Sequence, residues 1–377
     1  MTHVVIIGSG FGGCTAVRTL RKQGFRDTIT VVSPKPELFY YPSLIWVPSG
    51  QRTEDDLRID LGRFFARHGV GHRAAAVTGL DASSKTLRTD AGELDYDYLI
   101  IAGGGRYLRK LAGIENAHIA CAGWGPTKSW TDRFNAMQGG SLAFGFSGNP
   151  KEPPAMRGGP VFEFLFGVET LLRKQQRRDD FELTFFSPAP RPGARLGEKA
   201  VDRLLGEMDR RGIRTHLGHR MKAIEADRVI SEGGEFASDL TLFIPGMTGP
   251  SWAAESGLSL SEGGFFKADA QCRVEGEDRI YVAGDAGSFP GPEWKPKQAH
   301  MADLQAATSV KNLMANLAGR PQTHTFRTEL ICIIDSLDSG TLVFRNERRN
   351  FQFRATPLHW GKSMFEKRYL KPYRGAA

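Results

Sequence analysis

The chain opens with a short apolar run, His3-Val4-Val5-Ile6-Ile7, that passes at once into Gly8-Ser9-Gly10-Phe11-Gly12-Gly13. A strand running straight into G-x-G-x-x-G constrains the fold more than any other stretch. Gly8 permits the tight turn out of the strand, Gly10 lets the backbone approach a pyrophosphate, and Gly13 lets the next helix pack close to the sheet. The pattern predicts a helix from Cys14 to Gln23, with its N-terminal amides facing phosphates held by the Gly8, Gly10, Phe11, Gly12 and Gly13 turn. A second strand is predicted at Thr28 to Ser33. An acidic side chain usually ends that strand and binds ribose hydroxyls. Here the sequence reads Val31-Val32-Ser33-Pro34-Lys35, so Ser33 is left to contact the ribose, with Pro34 and Lys35 beside it and Glu37 nearby.

The stretch from Pro34 to Gly50 is aromatic, punctuated by prolines such as Pro42, and has no period. It suits a loop covering a flat ring system. A helix is expected over Asp55 to His68, then short antiparallel strands at Val77 to Leu80, Thr86 to Arg88 and Glu93-Leu94. Tyr98 to Ile101 is a buried strand ending in Ala102-Gly103-Gly104, small residues where the chain must pass close to a cofactor. Much later, Arg279 to Val282 is another strand, ending in Ala283-Gly284-Asp285. Asp285 can accept a hydrogen bond from a ribityl hydroxyl, and a helix expected from Gln298 to Ala318 would aim its N-terminal amides at the flavin. The three pieces in this order indicate FAD.

Length then sets the scale: 377 residues suit two to three domains. Hydrophobic content of 40% and charge of 24% indicate a globular chain. The net charge of +8 is scattered, and no nucleic-acid motif accompanies it. No apolar run approaches a membrane span and the N-terminus lacks a signal-sequence pattern, so a cytoplasmic or peripherally membrane-associated protein is expected. The four cysteines, Cys14, Cys121, Cys272 and Cys332, lack metal-ligand spacing and are too few for a disulfide framework.

A second nucleotide-binding unit is expected between residues 116 and 245. Its strands are Ser141 to Phe146 and Phe181 to Ser187, and its helices Phe162 to Arg173 and Glu198 to Arg211. The turn after its first strand is long and proline-rich, G-x-G-x-x-G is absent, and the next strand ends in Ser187-Pro188. These features argue against NAD(P)H as a substrate.

The order of the glycine fingerprint, the Ala-Gly-Gly strand and the Gly-Asp strand resembles the flavoproteins with two dinucleotide-binding domains, which include the disulfide reductases. Within them the chain resembles the sulfide:quinone oxidoreductases. The likeness rests on Pro42-Ser43, Trp46-Val47, Gly50, Gly159-Pro160 with Phe162-Glu163, Pro296-Lys297, Cys332 with Asp335, and His359-Trp360-Gly361-Lys362 with Phe365-Glu366-Lys367. The resemblance implies an α/β fold of two Rossmann-like domains plus a small C-terminal α+β region. The FAD-binding domain would take residues 1–115 and 246–320, the second domain 116–245 and the C-terminal region 321–377. It also accounts for Ser33, since serine ends the second strand in that family.

The resemblance implies three functional cysteines. Cys121 matches the first and Cys332 the last. The middle one, expected just before Gly159-Pro160, is missing from Met156-Arg157-Gly158-Gly159-Pro160. Cys332 can therefore be a sulfur carrier, a partner of Cys121, or an inert buried thiol; Cys14 and Cys272 read as core. Trp130 and Ala194 fall near positions where the family has histidines. Glu163 would either hold a proton near flavin or quinone or complement its helix charge. Lys297 would place a positive charge near the flavin and stabilise its reduced form.

Strands are expected at Thr325 to Ile334, Gly340 to Arg345 and Asn350 to Arg354, then a helix with Leu358, Trp360, Met364, Phe365, Tyr369 and Leu370 apolar and Lys362, Lys367, Arg368, Lys371 and Arg374 basic. Such a helix fits a membrane surface and quinone entry, or docking on the protein or on a dimer partner. The expected activity is two-electron transfer from sulfide or another small sulfur compound through FAD to a quinone or other acceptor. A flavocytochrome c sulfide dehydrogenase-like flavoprotein, an NADH dehydrogenase-like enzyme and a flavin-bound redox sensor without sulfide chemistry are the alternatives.

Overall fold

A computed structural model describes residues 1–374. The apolar run His3–Ile7 is the middle strand of a five-stranded parallel sheet. Its neighbours are Thr28–Ser33 on one side and Tyr98–Ile101 on the other, with Gly71–Ala74 and Ile280–Val282 at the edges. Val4, Val5 and Ile6 are fully buried because helices and loops cover both faces, as a parallel sheet requires. The fingerprint helix, Phe11–Lys22, packs on the long helix Ala299–Leu317.

A second parallel sheet has the strand order Ala117–His118, Leu240–Ile244, Gly140–Phe146, Phe181–Ser187 and Arg214–Leu217. The helix Gly159–Lys174 lies against it and is apolar almost all round, with Val161, Phe162, Phe164 and Leu165 buried. It starts three residues earlier than the apolar period suggests, because Pro160 occupies the first turn, where its missing N–H costs nothing. The C-terminal part is a three-stranded antiparallel sheet, Leu330–Asp335, Gly340–Arg345 and Asn350–Ala355, followed by the helix Pro357–Leu370. The fold is thus the expected α/β architecture with two Rossmann-like sheets.

Three expectations need correction. The predicted helix over Asp55 to His68 is two short helices, Glu54–Leu57 and Gly62–His68, separated by a strand, Arg58–Asp60. That strand pairs antiparallel with Glu37–Phe39, and the ladder overrides the helical period. The strand expected from Thr325 begins only at Leu330, where its ladder with Arg345 starts; among the described residues none pairs with the segment before it. The apolar side chains expected on the C-terminal helix do not share one docked face: Leu370 is fully buried and Tyr369 packs on Phe11 and Tyr40. Glu366 is buried at 3% exposure, while Trp360, Met364 and Phe365 are exposed at 63%, 70% and 61%.

Candidate functional site

Two glycines of the fingerprint turn are required by the protein's own backbone. Gly8 has φ +96, and a Cβ there would lie 2.6 Å from the Ala102 carbonyl oxygen. A Cβ on Gly13 would collide with the Gly8 carbonyl oxygen. Gly10 differs, because a Cβ there would meet nothing within 4 Å. So Gly8 and Gly13 are glycine for the protein's own packing, whereas Gly10 borders open space at the N-terminus of the helix. That is the fit a dinucleotide pyrophosphate requires.

The remaining expected cofactor residues converge on this turn from three strand ends. Ala102-Gly103 follows the neighbouring strand, and the Ala102 N–H donates to the Ile7 carbonyl. Gly284 has φ +74, and its N–H donates to Gln305 Oε1 at 2.9 Å. Ser33 is buried, with Oγ donating to the Lys35 carbonyl at 2.7 Å and lying 3.0 Å from His72 Nε2. Ser9 Oγ donates to the Glu37 carbonyl at 2.7 Å, which pins the segment through Pro34 and Lys35 over the turn. The Glu37 carboxylate itself pairs with Arg58. Pro42 opens a 3-10 helix, Tyr41–Trp46, whose Leu44, Ile45 and Trp46 are buried.

Asp285 is not free for a ligand alone. Its carboxylate forms an ion pair with Arg157, from the turn that lacks the expected cysteine. The pair is partly buried, its side chains 22% and 13% exposed. Lys297 Nζ donates to the Gly287 carbonyl at 2.7 Å and the Asp285 carbonyl at 3.2 Å, and stacks 3.9 Å from the centre of the Phe265 ring. Burial lowers its pKa to about 8.

On the far side of the second-sheet helix, Glu163 is 5% exposed. It accepts a hydrogen bond from the Asp335 amide at 3.0 Å and another from Lys362. Its carboxylate is therefore spent on the C-terminal region, not on its own helix terminus. Burial raises its pKa to about 7, against the pull of the Lys362 charge. Beside it, His359 Nδ1 lies 2.8 Å from Asp335 Oδ2, and Lys362 and His359 both abut Trp46. Arg52 pairs with Glu366 at 2.9 Å, and Ser43 donates to the same carboxylate at 2.7 Å. A band of paired ionisable groups thus joins the 41–52 segment, the helix start and the C-terminal helix. Sequence reasoning singled out Glu163 but not its partner Lys362, nor the Arg157–Asp285 and Arg52–Glu366 pairs.

The four cysteines are free thiols. Cys14 donates to the Ser9 carbonyl and is core, as is Cys272. Cys332 is half-buried, and a Cβ on Gly159 would lie 3.9 Å from its Sγ. It therefore faces the cysteine-free turn. Cys121 is buried beside Tyr107, whose hydroxyl donates to the Cys121 carbonyl. Burial pushes the Cys121 thiol up to about 11 and the Cys332 thiol to about 12. Trp130 is fully buried and stacks on Phe134, so it belongs to the core.

The sequence profile described as pyridine nucleotide-disulphide oxidoreductase matches residues 2–130 and 170–306. A sulfide-quinone reductase of Aquifex aeolicus is 24% identical over 98% of this chain and 90% of its own length. A type II NADH:quinone oxidoreductase of Staphylococcus saprophyticus is 22% identical over 84% of this chain and 83% of its own. The crystal structure of the sulfide:quinone oxidoreductase from Aquifex aeolicus superposes with a TM-score of 0.89 at 23% identity, covering 99% of this chain and 92% of that one.

Proposed function

The chain belongs to the pyridine nucleotide-disulphide oxidoreductase family, and on that premise we propose that it is an FAD-dependent oxidoreductase resembling sulfide:quinone oxidoreductase. It would take two electrons from a reduced sulfur compound and deliver them to a quinone. The observation that carries this reading is the seat of the C-terminal strand on the start of the second-sheet helix. Cys332 faces Gly159 there, and the Asp335 amide bonds Glu163 one turn further on. A nicotinamide dinucleotide would need that helix N-terminus, together with a short glycine turn. Here the chain's own strand covers it, which favours a quinone-linked enzyme over an NADH dehydrogenase.

Gly8, Gly10, Phe11, Gly12 and Gly13 would hold the pyrophosphate of FAD, Ser33 the ribose, and Ala102, Gly103, Gly284 and Asp285 the ribityl chain. FAD, when bound, supplies the two-electron carrier between donor and acceptor. Lys297 keeps a positive charge at the Gly287 end of that site, where reduction of an electron carrier adds negative charge. Glu163 can take or release a proton near neutrality, as quinone reduction demands, and Lys362 holds its carboxylate in place. Ordering by Asp335 keeps the His359 ring against Trp46.

The peripheral membrane reading rests on exposed apolar side chains: Trp360, Met364 and Phe365 on the C-terminal helix, with Ile331, Phe351 and Phe353 on the adjoining strands. No helix among the described residues is long and apolar enough to cross a membrane. A flavin-bound redox sensor without sulfide chemistry is the second reading, favoured by the free state of Cys121 and Cys332 and by Arg157 in the turn that lacks a cysteine.

The test is anaerobic bleaching of the bound flavin by sulfide and, separately, by NADH, followed by reoxidation with a short-chain quinone. Bleaching by sulfide and recovery with quinone support the reading. Bleaching by NADH alone overturns it, and bleaching by neither leaves the sensor.

A further inference from the structure

We propose that the groove between the helix Glu198–Arg210 and the C-terminal sheet binds one acidic lipid, its headgroup on arginines and an acyl chain on the groove floor. The cavity measures about 450 Å³. Small-molecule sites commonly span about 300–1,000 Å³. Its floor is apolar, formed by Phe166, Leu204, Ile334 and Val343, all buried. Its rim carries Arg203, Arg210, Arg211 and Arg354 around Glu207.

The rim charges do not cancel. Glu207 accepts from Arg211 Nε at 2.7 Å and from Arg354 Nη1 at 2.8 Å, and it also pairs with Arg210. Glu169 lies beneath and takes the other edge of Arg211. Four guanidiniums against these two carboxylates leave a net charge of +2. Arg203 pairs with no carboxylate among the described residues. Guanidinium groups bind phosphate through paired N–H donors. A hydrophilic anion would satisfy the rim and leave the apolar floor wet, whereas a neutral amphiphile would fill the floor and leave the charge uncompensated. An amphiphile with an anionic head satisfies both.

The groove lies on the sheet face that carries Thr341, Val343, Gln352 and Arg354. Phe353 lines it and is 58% exposed. Phe351 alternates with the groove-lining Gln352 and Arg354 and stacks on Phe344, on the other face of the sheet.

The experiment titrates the full chain, with its flavin, using dihexanoyl-phosphatidylglycerol kept below its micelle concentration and read by calorimetry. Dihexanoyl-phosphatidylcholine tests the headgroup, and glycerol phosphate tests the free anion. We expect saturable binding of the acidic lipid, at least about ten-fold weaker binding of both comparisons, and an equal loss in Arg203→Glu. Thr341→Trp should block the groove with the charge unchanged. Lys222→Glu, on a strand that does not line the groove, should bind as the parent does. Absence of saturable binding to the parent protein overturns the site. So does equal binding of lipid and glycerol phosphate, or undiminished binding by both groove variants.

Discussion

Lys362 Nζ donates a hydrogen bond to Glu163 Oε1 across 199 residues of chain, with the two side chains only 12% and 6% exposed. Burial is the largest influence on this carboxyl and lifts its pKa to about 7, the Lys362 charge opposing it. Glu163 therefore keeps its proton through mildly acidic solution and loses it as pH rises through about 7. If it donates to the acceptor, quinone-dependent reoxidation of the flavin should slow above that pH. Glu163→Gln should be slower by about 10²–10⁴-fold and have lost that limb, which stopped-flow reoxidation between pH 5.5 and 9 would measure. The linkage has a second sign. A raised folded pKa contributes stability present below the unfolded value, about 4.3, and lost as pH rises through about 7. The urea midpoint of the parent should fall across that window relative to Glu163→Gln.

Cys332 is the one half-buried thiol of the four. Alkylation of the folded protein should modify it first, leaving Cys14, Cys121 and Cys272 until denaturation. Its pKa near 12 leaves little thiolate at pH 8, so its rate should fall at least about a hundred-fold below that of a peptide cysteine. Mass spectrometry of a timed iodoacetamide reaction gives both results. Cys332→Ser should also abolish flavin bleaching by sulfide; full bleaching in that variant removes Cys332 from the donor path.

The fingerprint could be read from sequence because its requirement is local. Gly8 and Gly13 are set by backbone atoms within a few residues or on the adjacent strand end. The pairs that shape the rest of the site have no such signature: Glu163 with Lys362, Arg157 with Asp285, and Arg52 with Glu366 join residues far apart in sequence. The same limit explains the two misread helices. Leu57, Leu61, Phe64 and Phe65 keep a helical spacing across the strand Arg58–Asp60, which only its ladder with Glu37–Phe39 reveals. The C-terminal helix looks ordinarily amphipathic until Arg52 and Ser43 supply partners for a buried Glu366.

The contrast between Gly10 and Gly13 separates folding from cofactor binding. Gly13→Ala drives a methyl group into the Gly8 carbonyl, and overpacking of this kind costs about 1–3 kcal/mol or more. It should lower the melting temperature and the flavin content together. Gly10→Ala adds a methyl to open space, so the apoprotein should melt within about 2 °C of the parent. Its flavin affinity should nevertheless drop about ten-fold or more, because that space is where the pyrophosphate approaches. Flavin absorbance per chain and apoprotein melting curves test the pair, and equal loss of both quantities in Gly10→Ala would assign that glycine to the fold instead.

Trp360, Met364 and Phe365 stand exposed on the helix whose inward residues include Glu366 and Leu370. A helix that buries a carboxylate and exposes three large apolar side chains has its outer face prepared for a surface other than water. The same helix carries Lys367 and Arg368 in its last turn, so an anionic bilayer would be favoured. Each large apolar side chain contributes about 1.5–3 kcal/mol when fully removed from water. Replacing all three by serine should therefore weaken vesicle binding by at least about 1,000-fold, and because Phe365 stacks on Tyr369, which packs on Phe11 of the fingerprint turn, flavin content is measured beside it. Co-sedimentation with vesicles containing phosphatidylglycerol, at low and high salt, measures this. Persistence of vesicle binding in the triple variant would move the membrane contact elsewhere. A change in oligomeric state without any vesicle effect would assign the face to a second copy of the chain.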